Sequence, residues 1–205
     1  MTRVFSILLT FFLAFSSFGF AAEPVERIAA TLNGRIIFLS DLQRDQTFFE
    51  RPGENGSGED LKKQLERVID NRLLRFEAHR FVLQGPTEAE VQQRLKELRE
   101  RFKTESALQE ALRKTGLSLD ELKREIGEQL WVEKILQERI YAFVFITPKE
   151  VARYYQEHAA EFDGKKQEEV EPAIRKILSE EKRMTKEVEY LARLRSHAEI
   201  QVNLQ

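Results

Sequence analysis

The stretch RIAATLNGRIIFL, residues 27–39, decides how this chain is organised. It holds two apolar runs separated by Asn33-Gly34. Asn-Gly is the strongest short signal for a β-hairpin, because a type I′ turn requires a positive φ at both central residues. Ser40 and Gln43 follow at the spacing of a helix capping box, which predicts a first helix through Phe48-Phe49. A small hairpin is therefore expected to lead directly into a helix.

The end of the chain returns to the two-residue period of a strand. The segment AEIQVNL, residues 198–204, alternates polar and apolar side chains. Since a two-stranded hairpin alone is marginally stable, we expect this tail to pair with the hairpin, so that both chain ends meet in one antiparallel sheet. Deleting residues 198–205 is then predicted to expose Ile28, Ile36 and Phe38 and to destabilise the whole fold.

Between the two sheet-forming ends, the sequence predicts helices almost throughout. Five helix starts carry a Ser or Thr followed three residues later by Glu or Gln, the pattern of a capping box. After Ser40 these are Thr87, Ser106, Ser118 and Thr147. The predicted fold class is mainly α, with helices at 40–49, 59–81, 87–102, 106–116, 118–140, from 147 to an interruption at 163–164, and from between 168 and 172 to about 197. A loop is predicted at 51–58, and residues 23–205 are expected to form one domain with a helical core at 40–197.

The first 22 residues have the pattern of a signal peptide. Arg3 supplies a short positive region, residues 4–15 are apolar, and small residues follow, so cleavage is expected after Ala21 or Ala22. The alternative is an uncleaved membrane anchor, since residues 4–22 approach the length of a spanning helix. Cleavage is the preferred interpretation; it predicts an exported protein that is not stably inserted in the membrane.

Composition argues against several classes of function. The chain of 205 residues carries 33 Lys and Arg against 35 Asp and Glu, a net charge of −2 that gives no electrostatic signal for nucleic acid. It contains no Cys and only three widely separated His, which removes thiolate zinc sites, disulfides and a cysteine nucleophile. No nucleotide-binding P-loop pattern occurs. The sequence therefore predicts no catalytic residue, metal or cofactor.

Several motifs, in order, resemble one family of exported chaperones. The hairpin with Ser40-Asp41-Leu42 is similar to the opening of the SurA-type periplasmic chaperone domain, which PpiD- and PrsA-like foldases share. Further matches extend this resemblance over nearly the whole chain after the signal peptide: Leu73-Leu74 with Ala78, TEAEV at 87–91, Gly116-Leu117-Ser118, VFITPKEV at 144–151 with Tyr154-Tyr155 and Phe162, and the closing helix and strand. The resemblance implies a helical domain, related in design to the arm region of trigger factor, that cradles unfolded chains.

One departure from the family pattern bears on function. In SurA-like foldases a parvulin prolyl-isomerase domain, on the order of 100 residues, is inserted before the closing helix. Here only residues 163–169 separate Phe162 from Val170, which is too short for any domain. The resemblance therefore implies a chaperone core without its isomerase, and no catalytic residue can be carried over.

The function expected from this resemblance is an ATP-independent periplasmic chaperone that holds unfolded or nascent envelope, outer-membrane or secreted proteins. Exposed aromatic side chains rimmed by charge would provide the binding surface. The candidate client-binding residues are Phe48, Phe49, Phe102, Trp131, Tyr141 and Tyr155. For the phenylalanine pair, for Trp131 and for Tyr155, packing against neighbouring elements is the competing and preferred interpretation.

Other readings stay open at this point. The chain could be an isomerase-family protein with residual prolyl-isomerase activity, or a helical adaptor with one dedicated partner. Its assembly state is also open. A monomer is the default, and the alternative is a homodimer in which the hairpin and first helix cross to a second copy through the loop at 51–58.

Overall fold

The computed structural model describes residues 26–49, 61–81 and 84–204. The predicted signal peptide at 1–22, the predicted loop at 51–58 and the predicted start of the second helix at 59–60 lie outside the described residues. Within the described part the protein is mainly helical and carries one small three-stranded antiparallel sheet. The predicted fold class is confirmed.

The sheet joins the two ends of the described chain. Strand β1 (Ile28–Leu32) and strand β2 (Arg35–Phe38) form the hairpin, and the turn between them has the positive φ angles, 49° at Asn33 and 74° at Gly34, that an Asn-Gly turn of type I′ requires. Strand β3 (Ile200–Val202) pairs antiparallel with β1, so the strand order is β2-β1-β3. Asn33 also fastens the tail, since its N–H donates to the Glu199 carbonyl and its side-chain oxygen accepts the Glu199 N–H, both at 2.9 Å.

Seven α-helices follow the hairpin in the part of the chain that the structure describes. They are α1 (Leu39–Phe48), α2 (Leu61–Phe81), α3 (Glu88–Phe102), α4 (Glu105–Thr115), α5 (Leu119–Arg139), α6 (Pro148–Glu157) and α7 (Gln167–Ser196). Two short 3₁₀ turns, Tyr141–Phe143 and Ala159–Phe162, flank α6. The predicted interruption after α6 is present, because Asp163 and Gly164 both have positive φ angles.

Three of the five predicted capping boxes are present as reciprocal pairs of hydrogen bonds. In each, the hydroxyl accepts the backbone N–H of the glutamate, and the carboxylate accepts the backbone N–H of the capping residue. These are Thr87 with Glu90, Ser118 with Glu121 and Thr147 with Glu150.

The other two predicted helix starts are wrong by one or two residues. At α1 the Asp41 carboxylate accepts the Phe38 N–H at 3.0 Å, so the helix begins before Ser40. At α4 the cap is Thr104, whose hydroxyl accepts a backbone N–H three residues on, and Ser106 lies inside the helix. At α4 two capping residues, Thr104 and Ser106, compete for the same helix end, whereas at α1 the N-cap is Phe38, which makes no side-chain cap bond and gives no capping signal in the sequence.

Most of the core lies in what we call the body: the sheet, α1–α5 and residues 187–196 of α7. Helices α2 and α5 pack along each other, α3 packs on α5, and α7 reaches α2 with its C-terminal half. The buried side chains form three clusters: one among α1, α3, α4 and α5, one between the sheet and the first part of α2, and one where α2 and α5 meet α7.

The remaining helical structure is a separate layer, which we call the arm: α6, the turn Ala159–Phe162 and residues 167–178 of α7. Its fully buried side chains are Val151, Val170 and Ile174. At 1.5 Å per residue, α7 is about 45 Å long, so one helix is anchored in the body and carries the arm on its other end.

The tail strand covers different residues from those predicted. Ile28 and Ile36 are each 44% exposed although β3 is paired, because they lie on the open face of the sheet. Strand β3 instead lies beside Ala30 and Leu32, which are buried, and Val202 is itself half exposed. The premise that the tail buries Ile28 and Ile36 is therefore wrong.

Candidate functional site

The structure brings three of the predicted client-binding residues together, in the core. Phe48 is completely buried, and its ring centroid lies 5.9 Å from that of Phe102 and 6.4 Å from that of Phe49. Phe49 and Phe102 are partly buried against the same cluster. Phe48 therefore offers no surface to a client, and the core interpretation applies to it.

Trp131 and Tyr141 lie against the cluster that joins α2, α5 and α7. The Trp131 ring packs edge-on against His79, with ring centroids 3.8 Å apart, and against the backbone of Gly85. The Tyr141 hydroxyl donates to the Glu187 carboxylate at 2.8 Å, and its ring lies under the guanidinium of Arg183. Both side chains are partly buried and connect neighbouring elements, so neither is a freely exposed anchor.

Tyr155 lies apart from the other five, in the arm. Its ring stacks on Phe162 with centroids 5.6 Å apart, and its hydroxyl donates to the Lys165 carbonyl at 2.6 Å. These contacts close the turn between α6 and α7. The six predicted residues thus do not form one continuous surface.

The most exposed phenylalanines of the described residues lie in the segment that joins body and arm. Phe143 and Phe145 are 71% and 72% exposed, whereas Val144 and Ile146 between and beside them are partly buried. An open groove of about 430 Å³, which we call the crook, is lined by Phe143, Val144 and Phe145 together with Leu178 of α7. Apolar side chains this exposed are what a protein presents to a binding partner.

Helix α7 holds the backbone of this segment in place. The Lys182 ammonium donates to the Phe145 carbonyl at 2.8 Å, and the Arg175 guanidinium donates to the Ile146 carbonyl at 2.8 Å. These two bonds fix consecutive carbonyls, so the segment is tethered through its main chain. The phenylalanine rings are left free to face outward.

Charged side chains surround the crook, and their charges sum to zero. Three are acidic and three are basic: Glu150, Glu181, Glu189, Arg153, Lys182 and Lys186. The Lys182 ammonium makes the largest contribution and hydrogen bonds from Thr147 the next largest; together they lower the pKa of Glu150 to about 2. Glu150 therefore stays ionised across the physiological range, and the equal number of acidic and basic side chains favours a partner of neither charge.

A second concave surface surrounds Phe49. One groove of about 570 Å³ is lined by α1, α3 and α5, and a second of about 320 Å³ is lined by α1, α2, α5 and α7; both include Phe49 and Gln129. Of the predicted residues, Phe49 thus has the best access to a cleft. Most of the surrounding side chains are charged or polar, which makes the surface less apolar than the crook.

Sequence reasoning missed Phe143 and Phe145. The available clue was the run YAFVFI, residues 141–146, which is apolar at every position yet lies between the end of one helix and the Thr147 cap of the next. An apolar run in a connection has no helical stripe that would bury it. The sequence could not show which alternate side chains turn outward.

Neither a comparison with protein-family models nor one with curated proteins finds a match to this chain. In the described residues no helix is long and apolar enough to cross a membrane. Over the same three ranges, no three or more His, Asp or Glu side chains are grouped so that they could hold a metal ion.

Proposed function

We propose that this protein is an ATP-independent chaperone of the cell envelope that holds unfolded exported polypeptides. The observation that carries this proposal is the crook, where two phenylalanines more than 70% exposed stand within a rim of balanced charge. Extended apolar segments of an unfolded chain would pack on the rings, and the polar rim would limit each contact to a weak one. Weak contacts let the client leave without ATP.

Two features of the sequence support the cellular location and the chaperone role in this proposal. The signal-peptide pattern at 1–22 supports export, and the SurA-like order of motifs supports the periplasm and a chaperone role. The connection between the turn Ala159–Phe162 and α7 is only four residues long, which supports a chaperone core without an inserted isomerase domain. N-terminal sequencing of the exported protein should begin at residue 22 or 23.

The deciding experiment is aggregation suppression. A urea-denatured outer-membrane β-barrel protein is diluted into buffer with and without this protein, and light scattering is followed over time. The wild-type protein is expected to suppress scattering, and Phe143→Ser with Phe145→Ser to abolish most of the effect. Both rings are exposed, so the melting temperature of the double variant should be unchanged.

The matched control removes exposed apolar surface of similar size elsewhere on α7. Met184→Gln with Val188→Gln changes two side chains that are 65% and 66% exposed and do not line the crook. This variant should suppress aggregation as well as the wild type does. Equal loss in both variants would show that the crook has no special role.

A helical adaptor with one dedicated partner is the second candidate, because an exposed phenylalanine pair also suits a single folded partner. Suppression measured on three unrelated denatured clients separates the two functions. A holdase acts on all three, whereas an adaptor acts on none. A protease-coupled assay with a proline-containing peptide tests the remaining isomerase alternative, for which we expect no rate enhancement.

A further inference from the structure

A further cavity of the described structure shares no lining residue with the crook or with the Phe49 grooves, and it is basic. It has a volume of about 670 Å³ and lies where the hairpin turn, the second half of α2 and the end of α7 meet. Three guanidinium groups line it, those of Arg35, Arg80 and Arg193, together with the imidazole of His197. Glu77 is the single carboxylate among its lining residues.

The arginines are exposed and available to a ligand. Among the described residues, no carboxylate lies within 4.0 Å of the charged nitrogens of Arg35, Arg80 or Arg193, although most other arginines here have such a partner. Glu77 forms no ion pair with them, and its carboxylate accepts the Tyr190 hydroxyl at 3.4 Å. One carboxylate against three guanidiniums leaves a positive excess in the cavity. The cavity thus concentrates positive charge in a protein whose net charge is −2.

All three guanidiniums lie over aromatic rings, and for Arg80 the ring is that of Phe81, 5.0 Å away, which does not itself line the cavity. The Arg35 Cζ lies 4.9 Å from the centre of the Phe76 ring, and the Arg193 Cζ lies 5.1 Å from that of Tyr190. A guanidinium stacked on a ring keeps its N–H edge free for a carboxylate and loses less rotational freedom when it binds one. Stacking therefore preorganises the site for planar anions.

We propose that this cavity binds an acidic polypeptide segment in which carboxylate and apolar side chains alternate. Charge complementarity selects the carboxylates. The apolar lining, Leu73 and Leu194 with the rings of Phe76 and Tyr190, selects a polypeptide over a small inorganic anion, which would leave that lining uncovered. The binding is independent of the crook and does not rest on the proposed holdase function.

The test is fluorescence anisotropy of the purified protein with a labelled peptide in which Glu and Leu alternate. We expect this peptide to bind, a Gln-Leu peptide of the same length not to bind, and the affinity to fall as the salt concentration rises from about 50 mM to about 500 mM. The triple variant Arg35→Gln, Arg80→Gln, Arg193→Gln should lose affinity by about tenfold, in line with three exposed ion pairs. The corresponding Arg→Lys variant should retain part of it.

The control removes the same charge elsewhere. Lys96→Gln, Lys103→Gln and Lys176→Gln change three exposed lysines that do not line the cavity, and we expect less than a twofold effect. Thermal melts establish that each variant is folded, and Arg193→Gln alone serves as the test if the triple variant is not. Phe143→Ser with Phe145→Ser should leave peptide binding unchanged, which separates this proposal from the holdase.

Four outcomes would overturn the proposal. In the first, the Glu-Leu peptide does not bind the wild-type protein. In the second, it binds the Arg→Gln triple variant as tightly as the control variant with three Lys→Gln changes. Alternatively, vesicles containing phosphatidylglycerol bind through the same arginines while the peptide does not, in which case the cavity recognises a lipid surface. Full competition by inorganic phosphate at low millimolar concentration would likewise show a small-anion site.

Discussion

The body and the arm are built from the same kind of helices but are stabilised very differently. The body holds clusters of ten, nine and six buried apolar side chains, whereas the arm holds three. Stability in a protein is distributed according to such clusters, and regions with few buried contacts open first. The stability of the arm therefore depends on its junction with the body, where the crook and its two exposed phenylalanines lie.

One motif occurs in both regions and allows a direct comparison. In the body, the capping-box residue Glu90 also binds Lys134 of α5, at 3.2 Å. In the arm, the capping-box residue Glu150 also binds Lys182 of α7, at 2.6 Å. Each box therefore caps its own helix and connects it to a neighbouring helix. In the arm, where few side chains are buried, this ion pair provides a larger share of the contact between helices than it does in the body.

The largest effect is expected from the body core. Ile135 is completely buried between α2, α5 and α7, so Ile135→Ala should lower the free energy of unfolding by about 3 kcal/mol. Urea denaturation followed by circular dichroism measures this loss. A loss below about 1 kcal/mol would mean that the α2–α5 pair repacks around the missing atoms.

The same substitution in the arm tests whether the two regions unfold separately. Ile174 is also completely buried, and Ile174→Ala should speed hydrogen exchange of amides in 148–178 strongly while leaving the global urea midpoint nearly unchanged. If the midpoint falls as far as it does in Ile135→Ala, body and arm form one cooperative unit and the comparison fails.

Helix caps provide a matched pair of smaller changes. Ser118→Ala removes the cap of α5 in the body, and Thr147→Ala removes that of α6 in the arm, each at a local cost of about 1 kcal/mol. The first should appear in the global free energy of unfolding. The second should appear only in amide exchange of α6, and a global effect of equal size would contradict this.

The smallest expected effect concerns pH. Hydrogen bonds from Thr87, with Lys134, lower the pKa of Glu90 to about 2, and Lys182, with Thr147, does the same for Glu150. Because both values lie below the ordinary 4.5, each carboxylate stabilises the fold fully above pH 4.5, and this contribution is lost as the pH falls through about 2.

Carboxyl carbon shifts measured by NMR between pH 6 and 2 follow the two glutamates separately. Lys182→Met should raise the pKa of Glu150 and leave that of Glu90 unchanged. Lys134→Met should raise the pKa of Glu90 and leave that of Glu150 unchanged. The second shift should be smaller, because Lys134 lowers the pKa of Glu90 less than Thr87 does. An unchanged Glu150 titration in Lys182→Met would mean that Thr147 alone controls it, and the tie to α7 would lose its support.

Local signals predicted most of the fold. The hairpin at Asn33-Gly34, the tail strand and the capping boxes at Thr87, Ser118 and Thr147 are all confirmed, because each depends on hydrogen bonds within a few residues or on a two-residue period. The start of α4 was misplaced because Thr104 and Ser106 both suit a cap, and that of α1 because its N-cap, Phe38, has no capping side chain. The candidate site was predicted less well, since the aromatic residues that looked available, Phe48 above all, pack inside.

Local sequence patterns predicted most helix and strand starts and the pairing of the chain ends, and they left 141–146 as a connection without showing how its apolar side chains are used. Only the tertiary structure decided which of those side chains face solvent, which lysine completes each capping box, and that arginines from positions 35, 80 and 193 share one cavity. The reason is physical. Caps and turns are satisfied by neighbours in the chain, whereas exposure and charge clustering depend on side chains distant in the sequence, such as Glu150 and Lys182 or Arg35 and Arg193.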